Sequence, residues 1–178
     1  DCWQNGTKLN FRGEYYKTTL MSPFFNPGSI ENPNIPIYIA GVNTGLASLA
    51  GEMCEGFHAH PFHSPRYLRE VILPAVEEGV KKADSGKSKT QMSVTAFVAT
   101  SPEEQAFARM QLAFYASTPS YRAVMDFHGW GETAEKLSGF AAKGEWAEMP
   151  MLITDEMLNE FCLQTTTGNL ATDLKSRY

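Results

Sequence analysis

The chain has 178 residues, 43% of them apolar and 20% charged, which is enough apolar material for one domain, residues 1–178, with a sizeable core. Its net charge of −5 argues against nucleic acid or an anionic membrane surface as a partner, and no apolar run approaches the roughly 18 residues of a membrane span. Three scattered cysteines, Cys2, Cys54 and Cys162, form no C-x-x-C pair, so a disulfide framework or cysteine zinc site is not expected, and with no leader in view the expected setting is cytoplasmic.

Residues 1–35 are rich in Gly, Pro and Asn, with Tyr15-Tyr16 and Phe24-Phe25, and predict an irregular or hairpin-like lead-in. A strand is predicted at 36–41, a helix at 44–53 and a second strand at 56–62. Ser64-Pro65 starts a helix whose apolar positions recur through about Lys82, with Pro74 expected to kink it. A polar linker at 83–91 precedes a third strand at 92–100. Ser101-Pro102 opens a helix to about Ala116, with Glu104 placed for a capping box. Thr118-Pro119 begins another, closed near His128-Gly129. Helices at 132–142 and from Thr154 to about Gln164 follow. This alternation is that of a parallel α/β sheet, and leaves open whether the sheet is open or a closed barrel.

Ligands in such folds bind at the C-terminal ends of the strands. That edge offers three places. At Gly41-Val42-Asn43-Thr44 an apolar strand feeds a helix through small residues. Unpaired amides and the helix dipole suit a phosphate or another anion there, although a plain capped helix start would look the same.

The second place is His58, His60 and His63. Alternation puts His58 and His60 on one face of the strand, opposite Phe57 and Ala59, with His63 in the following loop. Three readings compete: a metal site, satisfied packing, and substrate contact or proton handling, with His58 the deepest and most suited to packing. The third place holds Tyr115, Ser117, Thr118, Tyr121, His128 and Trp130, which read as helix caps and aromatic core or as a substrate wall. No nucleophile elbow, P-loop or H-E-x-x-H motif is present, which fits an enzyme whose reactive atoms belong to a cofactor.

The block PIYIAGVNTGLASLAGEMCEGFHAHPF at 36–62 resembles the luciferase-like monooxygenase family. FRGEYY at 11–16, TLMSPFF at 19–25, FYASTPSYRAVMDFHGW at 114–130 and MLITDEML at 151–158 agree, and point to its deazaflavin-dependent (coenzyme F420) oxidoreductase branch. The resemblance implies an α/β fold, the C-terminal part of a (β/α)8 TIM barrel. It places about four strand–helix units before Asp1 and a final strand after Tyr178. It implies that Gly41, Val42, Asn43 and Thr44 hold the cofactor phosphate or nearby linker, although the family often has Gly-Pro where this chain has Asn43-Thr44. It also raises His60 as the catalytic candidate and His63 as substrate-binding.

The function so implied is hydride transfer between coenzyme F420 and a small organic substrate, by a homo-oligomeric enzyme. An FMN-dependent monooxygenase on the same fold is the alternative. The rival of another class is a metal-dependent hydrolase using His58, His60 and His63. A non-catalytic half-barrel, whose open strand edges invite association, is a further one.

Overall fold

The computed structural model describes residues 2–83, 86 and 89–178. Asp84, Ser85, Lys87 and Ser88 of the expected linker lie outside the described residues. The chain divides between Pro36 and Ile37 into two compact units.

The first unit holds a short helix α1 (Cys2–Asn5) and an antiparallel hairpin, β1 (Phe11–Arg12) with β2 (Lys17–Thr18). Gly13 N–H closes the hairpin on Tyr16 O at 2.9 Å. A 3-10 turn follows at Pro23–Phe25.

The second unit begins with β3 (Tyr38–Gly41), α2 (Thr44–Met53) and β4 (Gly56–Ala59). β4 stops short of the expected residue 62. Pro61 has no N–H to give a ladder, and Phe62 N–H goes to the His60 ring instead. A helical segment then runs through α3 (Pro65–Tyr67), a π-helical turn (Leu68–Ile72) and α4 (Leu73–Lys82). In the π turn Leu73 N–H reaches back to Leu68 O. The turn lies immediately before Pro74, where the missing N–H and the ring disturb the helix ladder.

β5 (Gln91–Val94) completes a parallel sheet of order β3-β4-β5. Its register aligns Ile39, Phe57 and Met92 on one face and Ala40, His58 and Ser93 on the other. Phe57 and Ala59 are buried, whereas Ala40 and His58 are exposed. Behind the buried face, α2 and α4 meet at glycines. A Cβ on Gly51 would lie 2.1 Å from Val76 O, and one on Gly79 would lie 1.9 Å from Ser48 O. Only residues without a side chain permit that approach of two helix backbones.

The third strand expected at 92–100 is broken. After β5 the chain resumes as β6 (Phe97–Ala99), which pairs in parallel with β7 (Cys162–Gln164). Between them lie α5 (Pro102–Ser117), a 3-10 turn at Pro119–Tyr121, α6 (Arg122–Phe127), α7 (Gly131–Lys143) and α8 (Asp155–Phe161). β7 replaces the last turn of the helix expected to reach Gln164. Cys162 is extended, and Cys162 and Leu163 bury their side chains beside β6. A final helix α9 (Leu170–Arg177) was not expected. The strands of the described residues form an α/β arrangement and do not close a barrel.

Candidate functional site

The turn 41–44 lies at the C-terminal end of β3, as the strand and helix patterns predict. Asn43 is the N-cap of α2, with extended backbone angles, yet its side chain makes no capping bond. Its Nδ2 instead donates to Ser120 O at 2.8 Å, and its Oδ1 is buried without a partner. The first-turn amides of α2 therefore have neither an intrahelical acceptor nor a side-chain one from Asn43. Thr44 and Gly45 are exposed, and a Cβ on Gly45 would meet nothing within 4 Å. Beside them a cavity of about 260 Å³ is lined by Asn43, Thr44, Tyr67, Val71, Ala123 and Phe127.

Gly41 is packed closely beneath the turn. A Cβ there would lie 2.9 Å from Leu46 Cβ and 3.2 Å from Phe57 Cε2, so its lack of a side chain serves packing under the turn. Val42 is buried, and its carbonyl accepts the Tyr67 hydroxyl at 3.2 Å.

His60 stands just past β4 and is tied to the same turn, its N–H donating to Gly41 O at 2.9 Å. Its ring stacks on Tyr121, with centroids 4.8 Å apart, and meets Tyr115 edge-on at 4.8 Å. Nδ1 accepts Phe62 N–H at 3.1 Å, and Nε2 lies 3.3 Å from the Tyr121 hydroxyl. Burial lowers the His60 pKa.

His63 is only 2% exposed. Its Nδ1 lies 2.6 Å from His60 O and its Nε2 3.0 Å from the Tyr178 hydroxyl. Both of its ring nitrogens thus have a partner within the chain. Burial, ahead of the Arg177 charge, lowers its pKa against the raising effect of its bond to the His60 carbonyl. His58 is not packed inside: it is exposed on the open sheet face, 5.0 Å from the Tyr38 ring. The three imidazoles thus have separate surroundings. Among the described residues no group of three His, Cys, Asp or Glu side chains is arranged to hold a metal ion.

In the third place, Ser117 donates to Phe114 O at 2.7 Å, an ordinary helix-end bond. His128 stacks on Trp130 and its Nε2 lies 2.9 Å from Ser64 Oγ, which also accepts Tyr67 N–H and so caps α3. Tyr115 and Tyr121 prove to be the members that join the His60 group. The Asn43–Ser120 link left no trace in the sequence, because its partners are 77 residues apart.

A sequence model of the family described as luciferase-like monooxygenase matches residues 1–177. The chain belongs to the luciferase-like monooxygenase family. An uncharacterized protein of Mycobacterium tuberculosis is 38% identical over 181 residues, covering 98% of this chain and 53% of that protein. The 5,10-methylenetetrahydromethanopterin reductase of Archaeoglobus fulgidus is 29% identical, over 93% of this chain and 50% of the reductase. The coenzyme F420-dependent tetrahydromethanopterin reductase of Methanopyrus kandleri has the same fold. Its TM-score is 0.73 at 19% identity, over 98% of this chain and 50% of that one. This luciferase-like chain therefore has the α/β fold of F420-dependent TIM-barrel enzymes. It spans about half the length of the curated relatives it matches. No helix among its described residues is long and apolar enough to cross a membrane.

Proposed function

We propose that the chain is part of a coenzyme F420-dependent oxidoreductase acting on a small organic substrate. In this reading the first amides of α2 hold the cofactor's phosphate, and His60 faces the substrate. The observation that carries it is the uncapped start of α2. Asn43 is a residue type that ordinarily fills its own helix N-terminus, and here its amide is drawn away to Ser120. The donors it leaves, beside the open position at Gly45, have the charge and room that a phosphate diester requires. The residues present therefore fit the cofactor. The F420-dependent names of the relatives support this choice over FMN.

When bound, the deazaflavin ring supplies the hydride donor or acceptor. The chain's own part is to hold and orient. The bond from His60 N–H to Gly41 O couples the substrate side of the site to the phosphate turn through one backbone contact. Tyr115 and Tyr121 wall the His60 ring with apolar faces that restrict water.

A fluorescence titration of the full-length protein with coenzyme F420, and separately with FMN, tests the reading. The informative variant is Gly45→Asp. Its carboxylate would occupy the free amides without a steric clash and would favour the helix itself. F420 should bind in preference to FMN, and the variant should weaken it by at least about tenfold with no loss of thermal stability. Preference for FMN would assign the protein to the monooxygenase chemistry. Undiminished F420 binding by the variant would move the phosphate elsewhere. Gly41→Val would be a poor probe, since it presses on Leu46 and Phe57.

A further inference from the structure

The tautomer of His60 is set by its neighbours. Phe62 N–H points at Nδ1, so that nitrogen must carry a lone pair and a neutral ring must hold its proton on Nε2. Nε2–H then donates to the Tyr121 oxygen, 3.3 Å away. The opposite arrangement, with Tyr121 donating to Nε2, would set an Nδ1–H against the Phe62 N–H. A doubly protonated ring meets the same conflict. His60 is thus a fixed donor in its neutral form and has no lone pair to offer as a base at Nε2.

The consequence falls on Tyr121. Its oxygen is already an acceptor, so its own proton must be given elsewhere. Among the described residues no acceptor lies within reach of that proton, and the side chain is partly exposed. A phenol O–H held by a bond to its oxygen and by a stacked ring is a pre-oriented donor. It stands at the C-terminal end of the parallel strands, where ligands of such folds bind.

We propose that Tyr121 is the hydrogen-bond donor that recognises an acceptor oxygen on the substrate, a ketone or aldehyde carbonyl, and that His60 positions it. This rests on the reading that places the substrate at His60. Tyr115, edge-on to both His60 and Tyr121, supplies the apolar wall for the carbon frame beside that oxygen.

The test uses the full-length protein and the probe 4-fluoroacetophenone, followed by fluorine NMR. Its control is 1-ethyl-4-fluorobenzene, which has the ring and no acceptor oxygen. The ketone should bind the wild type, and Tyr121→Phe should weaken it by up to about tenfold, the effect of one hydrogen bond. His60→Leu should weaken it to a similar degree. His60→Gln, which keeps an N–H donor and an acceptor, should retain most of the affinity. The double variant His60→Leu with Tyr121→Phe should be no weaker than either single one, because His60 acts through Tyr121. The hydrocarbon should bind all of them alike.

Nitrogen NMR of the wild-type histidines provides a readout independent of any ligand. His60 should show a single neutral tautomer with its proton on Nε2. An Nδ1–H tautomer, a ketone that does not bind the wild type, or one that ignores Tyr121→Phe would overturn the proposal. Failure of coenzyme F420 to bind would instead remove the cofactor reading, and the ketone series would still decide the role of Tyr121.

Discussion

His60, His63 and His128 each lie where burial lowers the ring's affinity for a proton. This has a sign for stability. Below the ordinary histidine value of 6.5, the unfolded chain takes up protons that the folded chain refuses. The unfolded state then binds more protons, so stability rises with pH through that window and falls as pH drops through it. Above about pH 7 neither state is protonated at these rings and the effect ends. The carboxylates with lowered values, Glu78, Glu103 and Glu104, start from 4.5 and titrate below the window. The thermal midpoint should therefore fall between about pH 7.5 and about pH 5.5. A flat or rising midpoint would show that the three rings are not held neutral. At this scale the sequence was partly legible. A period of two put His58 on the face opposite Phe57 and Ala59, but not which face is buried: His58, expected to pack, is exposed. Whether a ring nitrogen was free was not legible, since the partners of His60 and His63 include Tyr121 and Tyr178, 61 and 115 residues away.

At the scale of elements, the contact between α2 and α4 is made by backbone. Gly79→Ala would force its methyl group against Ser48 O and the N–H of Glu52. It should destabilise the protein by about 1–3 kcal/mol, the usual cost of overpacking, or more if the helices separate. Gly139→Ala on α7 is the matched control. A Cβ there meets nothing within 4 Å, and the change should be neutral or stabilise by up to about 1 kcal/mol. Denaturant midpoints of the two variants check this. Equal midpoints would mean that the α2–α4 approach is looser than described.

Helix starts were the most legible elements, because caps are local. Ser64, Ser101 and Thr154 each accept the N–H three residues on. The Glu104 carboxylate reaches back as a capping box would, toward Ser101 N–H, and also takes Thr100 N–H at 2.6 Å. What local pattern did not reveal was β7. Its three residues continue a helical pattern in sequence, and they become a strand because residues 97–99 lie beside them.

For the molecule as a whole, the fold and family rest on long stretches, and they agree with what 36–62 already implied. The face of β3 and β4 that carries Ala40 and His58 is exposed, and the chain spans about half the length of the reductase whose fold it shares. In the proposed reading, the uncapped start of α2 holds the phosphate of coenzyme F420. The most direct measurement is the backbone amide NMR of Thr44, Gly45 and Leu46 in the full-length protein as F420 is added. Large, saturating shifts are expected at these amides, and their loss in Gly45→Asp. Saturating F420 binding that leaves these three amides unmoved would contradict the reading.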